Sequence, residues 1–223
     1  MASRTPSHWT PQKRDVLDAL ADDFLHNYGK GRTILAVDGR EGAGKTRFAD
    51  ALAERMGRGG HAVFRASVDG FHRPRELRYA AGKDSAAGFY RDSFDYALLR
   101  RVLIDPFKMG GSTAWVPEAF DVARDAPIEP RWTTGPDDAT LILDGIFLNR
   151  PELRGLWNFS VWLDVPAAEA EARWTARDGA LPNPRYSGGQ ELYLTEAKPI
   201  EVATAVIDNS DYEHPRRTFA DSC

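Results

Sequence analysis

The segment GREGAGKT, residues Gly39–Thr46, carries the clearest chemistry in the chain. It matches G-x-x-x-x-G-K-[ST] at every specified position, the spacing of a phosphate-binding loop. The glycines let the backbone curl so that successive N–H groups point inward at phosphate oxygens. A helix starting immediately afterwards adds the positive end of its dipole. Gly39, Arg40, Glu41, Gly42, Ala43, Gly44, Lys45 and Thr46 are therefore assigned to a nucleotide. Lys45 supplies a mobile charge for the β- and γ-phosphates, and the Thr46 hydroxyl is the expected Mg2+ ligand.

Three carboxylates flank this loop in plausible places. Asp38 directly precedes it, and its plainest role is structural. Asp69, in SVDGFH, closes the second apolar run, on the edge where an α/β sheet places its ligands. Asp144 closes the run TLILD, where an acid can hold magnesium directly or through water. Arg173 and Arg177, four apart in AEARWTARDG, share one helix face, and arginines there can fold over a triphosphate. The alternative for that pair is a solvated helix end, where cations are favoured anyway.

The loop alone leaves the fate of the γ-phosphate open. A GTPase needs D-x-x-G and N-K-x-D, and neither string occurs. A nucleic-acid motor would carry a basic track, which a chain of formal net charge -4 does not advertise. Transfer to a small hydroxyl-bearing acceptor is the leading expectation. A plain NTP hydrolase and a nucleotide-gated regulatory protein that transfers nothing stay open beside it.

These residues need elements to hold them. After a loose tail over 1–9, Thr10 and Pro11 read as the start of a helix with Leu17, Leu20, Phe24 and Tyr28 on one face, closed by Gly29 and Gly31. Thr33–Asp38 reads as a buried strand. Phe48, Leu52 and Met56 mark the helix after the phosphate loop, ending at Gly57. Further strands are expected at His61–Asp69, Thr140–Asp144, Phe159–Val165 and Val202–Asp208, with helices at 94–104 and 166–177 between them. Strands alternating with helices imply a parallel sheet covered on both faces. Residues 71–136 fit this rhythm least and are expected to be irregular or partly helical. The stretch 178–190 reads as a mobile loop.

At 223 residues, with 42% hydrophobic and 28% charged residues, the chain suffices for one domain spanning 1–223. Its one cysteine, Cys223, allows no internal disulfide. The opening residues lack a charged-then-apolar leader, and no apolar run is long enough to span a bilayer. A cytoplasmic protein with no membrane or nucleic-acid partner is the expectation, and assembly into a homo-oligomer is left open.

In order along residues 33–212, the pieces GREGAGKT, SVDGFHRP, GFYRDSFDYALL, LILDGIFL, the arginines of ARWTARDG and YLTEAKPIEVATAVIDNSD resemble the uridine kinase, phosphoribulokinase and bacterial pantothenate kinase group of P-loop kinases. The resemblance implies an α/β, three-layer P-loop NTPase fold with a central parallel sheet and a mobile lid over 173–190. It implies ATP with Mg2+, Asp144 as the magnesium-site acid, and Arg173 and Arg177 as lid arginines. It makes Asp69 the acid that aligns the acceptor hydroxyl and takes its proton. Phe71, His72, Tyr90 and Arg91, within the acceptor-side region 71–136, become candidates for the acceptor pocket. The chain has DGFH where uridine kinases typically carry Asp-x-Phe-Tyr. It has FDVARD (Phe120–Asp125) where they carry a pyrimidine-reading histidine. A pyrimidine nucleoside is the first acceptor expected, in a uridine kinase-like reaction, with pantothenate or a sugar next.

Overall fold

Along the first strand, Ile34 and Ala36 point to one side of a sheet and Leu35 and Val37 to the other, and all four are fully buried. Side chains alternate faces along a strand, so burial on both faces requires a layer above and a layer below. The computed structural model, which describes residues 11–179 and 183–218, supplies both layers.

Helix α1 (Lys13–Tyr28) leads to β1 (Arg32–Gly39), and the phosphate loop then opens α2 (Lys45–Arg58). Strand β2 (Ala62–Ser67) ends in a 3-10 turn over Val68–Phe71. The acceptor-side region follows as short pieces: α3 (Arg75–Arg78), α4 (Ala86–Asp92), then α5 (Tyr96–Leu99), a π turn over Arg100–Ile104, and α6 (Asp105–Met109). A two-stranded hairpin, β3 (Phe120–Asp121) with β4 (Ala126–Pro127), closes that region. The remaining elements are β5 (Ala139–Asp144), β6 (Phe159–Asp164), α7 (Ala167–Asp178), α8 (Pro184–Ala197), α9 (Pro199–Val202), β7 (Ala205–Asp208) and β8 (Arg216–Thr218).

The main sheet runs β2-β5-β1-β6-β7-β8, parallel throughout except for the antiparallel edge strand β8. Register pairs Val37 and Ser67 with Asp144, and Asp164 with Asp208, so the strands end along one edge. Helices α1 and α2 cover one face through Leu20, Phe24, Phe48 and Leu52. The acceptor-side region and α8 cover the other through Phe71, Phe89, Phe107, Trp115 and Tyr193. Each such large apolar side chain, once fully buried, contributes roughly 1.5–3 kcal/mol.

Several boundaries differ from the sequence expectation. The first helix is preceded by Gln12, whose N–H donates to Asp15 Oδ2 at 3.0 Å, and Thr10 and the 1–9 tail lie outside the described residues. The helix α2 passes Gly57 and is capped at Gly59. Strand β2 stops at Ser67, two residues before Asp69, because Ser67 Oγ accepts the Asp69 N–H and turns the chain into the 3-10 turn.

The largest difference concerns 178–190. Residues 184–190 form the first half of α8 instead of a loop. Asn183 accepts the Arg185 N–H at 2.9 Å and Pro184 occupies the first helical position, a complete start signal. The glycine pair inside that stretch serves close packing. A Cβ on Gly189 would lie 2.5 Å from the Phe89 ring and 3.0 Å from the Ala86 carbonyl oxygen of α4. Gly189→Ala is therefore expected to destabilise the protein in urea unfolding by up to about 2 kcal/mol, an overpacking cost that outweighs the usual gain of alanine in a helix. A higher midpoint for the variant would show that α4 and α8 can part without cost.

Candidate functional site

The phosphate loop leaves the carboxyl end of β1 and re-enters the fold at the first turn of α2. Gly44 precedes that turn in a left-handed conformation and no side chain caps it, so the first amides of α2 face the loop's hollow. At Gly42, with φ +79°, an added Cβ would lie 1.9 Å from the Ala170 carbonyl oxygen of α7, so only glycine fits. Lys45 Nζ donates to the Arg40 carbonyl at 2.8 Å, drawing the ammonium across the loop.

The loop is braced from three sides. Asn209, buried after β7, donates Nδ2 to the Ala43 carbonyl at 2.8 Å. From α8, Gln190 Oε1 accepts the Glu41 N–H at 2.9 Å and Glu191 pairs with Arg40 at 2.9 Å. Beneath it, Asp38 is fully buried and accepts from the Gly39 N–H, from the Asn149 N–H and Nδ2, and from the Tyr193 hydroxyl. Burial raises the Asp38 pKa, while these donors and the nearby Lys45 charge oppose that rise. The structural role expected for Asp38 matches this arrangement.

Thr46 and Asp144 meet. The Thr46 hydroxyl donates to Asp144 Oδ2 at 2.7 Å, which leaves its oxygen lone pairs available to a cation. Asp144 is only 2% exposed, and its Oδ1 accepts Arg65 Nη2 at 2.8 Å. No group of three or more metal-ligating side chains occurs among the described residues. That donor set fits magnesium, which is usually held by one or two protein oxygens together with substrate phosphates.

Asp69 sits exposed on the 3-10 turn beyond β2, and its charge reaches Lys45 along with those of Glu41, Asp38 and Asp144. Its carbonyl oxygen lies 2.8 Å from His72 Nδ1, so that nitrogen carries the ring proton and donates it. Burial lowers the His72 pKa, against the opposing pull of Asp69.

The other acceptor-side candidates sit elsewhere. Phe71 is 0% exposed and Tyr90 is 3% exposed; both belong to the aromatic core against Phe94, Phe147 and Tyr193. Their burial places them in the core beneath the acceptor side. Arg91 points outward and pairs with Glu196 at 2.6 Å, fastening α4 to α8. Of the four, only His72 shares surroundings with Asp69.

Arg173 also differs from expectation. It donates Nη1 to the Asn209 carbonyl at 3.0 Å and Nη2 to Glu169 and the Ser210 carbonyl. It is anchored to the turn after β7, whose Asn209 in turn holds Ala43 of the phosphate loop. Three carbonyl and carboxylate acceptors within its reach account for this placement. Arg177 lies one turn further along α7, exposed. Residues 180–182 of the expected lid fall outside the described residues.

Sequence reasoning missed Arg65 and Gln190, and it quoted Tyr193 and Asn209 without giving either side chain a role. A charged residue in the middle of the apolar run HAVFRASVD was the available signal for Arg65.

No family model and no curated protein matches the chain by sequence. Solved structures do match by fold. A possible uridine kinase from Bacillus stearothermophilus aligns with a TM-score of 0.71 at 26% identity, covering 86% of this chain and 97% of that one. A candidate fructose transport system kinase from Silicibacter sp. TM1040 aligns at TM-score 0.63 and 27% identity, covering 84% and 94%. The D-glycerate 3-kinase from Cryptococcus neoformans shares the fold at TM-score 0.55 and 12% identity, covering 84% and 87%.

Proposed function

We propose, from a fold and neighbours that are those of a P-loop small-molecule kinase, that this protein transfers the γ-phosphoryl group of ATP to a primary hydroxyl of a small metabolite. The observation that carries this reading is the Thr46–Asp144 contact at the foot of the phosphate loop, with the exposed Asp69 on the same edge of the sheet. A nucleotide-gated switch that transfers nothing would leave a second acid there idle, whereas a hydrolase would use it on water, and the acceptor panel below separates transfer from hydrolysis.

The reaction is an in-line displacement. The acceptor oxygen bonds to the γ-phosphorus as the bond to the β–γ bridging oxygen breaks, and Asp69 accepts the hydroxyl proton. In a loose transition state, alignment by Asp69 matters more than its basicity. Loop amides and Lys45 hold the phosphates against the charge that moves onto the leaving diphosphate. Thr46 and Asp144 would hold Mg2+, which would supply neutralising charge to the triphosphate when bound.

A pyrimidine nucleoside is the first acceptor, in keeping with the possible uridine kinase among the neighbours. A sugar is the second, in keeping with the candidate fructose transport system kinase among the neighbours. Pantothenate remains a third arm of the test.

The experiment is incubation with γ-labelled Mg-ATP and uridine, cytidine, pantothenate, ribose or fructose, with products separated. Label on a nucleoside is expected. Label on a sugar or pantothenate would keep the mechanism and replace the acceptor. Label only in free phosphate, whatever is added, would make the protein a hydrolase.

A further inference from the structure

Arg65 is a cation set into a strand of otherwise apolar or small residues, and its guanidinium is fully engaged at the metal end of the site. It donates Nη2 to Asp144 Oδ1 at 2.8 Å, Nη1 to the Ile142 carbonyl at 2.7 Å, and Nε to Asp50 Oδ1 of α2 at 3.0 Å. The parallel register that places Arg65 opposite Ile142 and Ser67 opposite Asp144 brings the fork alongside the carboxylate. Asp144 is thus divided, one oxygen to Arg65 and the other to Thr46.

Such an arrangement has an electrostatic consequence. A nearly buried carboxylate attracts a divalent cation, and a guanidinium on the same carboxylate opposes that attraction. It also fixes the carboxylate plane, because a planar fork bonded to three acceptors cannot turn freely.

Resting on the Mg-nucleotide reading above, we propose that Arg65 is a positioning residue that holds Asp144 and suppresses binding of bare metal. The metal then enters only together with nucleotide phosphates. The phosphate-loop motif assigns Arg65 no part.

Mn2+ can be followed by electron paramagnetic resonance as the probe, with and without ADP. Wild type is expected to bind bare Mn2+ no more tightly than about millimolar, and to bind it well with ADP. Arg65→Gln, which keeps a hydrogen-bond donor but removes the charge, should bind bare Mn2+ about tenfold more tightly. Arg65→Lys, which restores the charge, should return to within about threefold of wild type.

Equal bare-Mn2+ affinity in wild type and Arg65→Gln would overturn the proposal. So would tight bare binding by wild type, a measurement that needs no variant to fold. If wild type takes up no Mn2+ with ADP, the nucleotide reading itself fails and the proposal with it. That result is distinct from an unchanged bare affinity, which removes Arg65 alone.

Discussion

Lys45→Met is expected to slow phosphoryl transfer about 10²- to 10³-fold, roughly 3–4 kcal/mol of barrier, and to weaken nucleotide binding as well. The ammonium lies across the loop on the Arg40 carbonyl, within the field of Glu41, Asp38, Asp69 and Asp144. Burial pulls its pKa down and those four carboxylates push it back up. Entering phosphates add charge of the same sign as the carboxylates, so they hold Lys45 protonated. Methionine keeps an unbranched stem and removes the cation. The phosphates would then meet four carboxylates with no lysine between them, so ground-state binding and transition-state binding should both suffer. Turnover and titration with a fluorescent nucleotide measure the two separately. A variant within about threefold of wild type in both would contradict the assignment of GREGAGKT to phosphate binding.

What could be read from the sequence was what depends on short range. The phosphate loop is a spacing of glycines, Lys45 and Thr46 within eight residues, bounded by β1 and α2, whose periodicities are local. Asp144 was legible because it ends an apolar strand. The remainder depends on register and packing. Arg65 meets Asp144 across 79 residues, and Tyr193 meets Asp38 across 155, through strand order and helix docking that no window of sequence contains. Helical spacing correctly gave Arg173 and Arg177 a shared face, yet it could not say that Asn209 and Ser210 lie opposite Arg173. Phe71 follows Asp69 by two residues, and the 3-10 turn sends one side chain outward and the other into the core. The stretch 178–190 reads as a loop because a glycine pair marks a loop in isolation and a close helix contact only when the partner is known.

Asp69→Asn is expected to leave nucleotide binding near wild type and to lower turnover at least tenfold, about 1.4 kcal/mol of barrier. Asparagine preserves the shape and one acceptor oxygen, but it cannot take the acceptor's proton as a carboxylate does. Its backbone contacts survive the change, since the N–H to Ser67 Oγ and the carbonyl to His72 Nδ1 belong to the main chain. Loss of activity would therefore report the carboxylate and not a displaced turn. Removing one of the negative charges around Lys45 should leave nucleotide affinity equal or slightly higher, opposite in sign to the Lys45→Met result. With a labelled acceptor in hand, kcat and kcat/KM should fall together, as they do when an interaction is made only in the transition state. A rise in KM with kcat unchanged would make Asp69 a ground-state binding group. Turnover equal to wild type would remove it from the reaction and leave the exposed edge beside Thr46 without an acceptor-side acid. The two variants, each affecting a different pair of constants, divide the site into a half that holds the nucleotide and a half that aligns the hydroxyl.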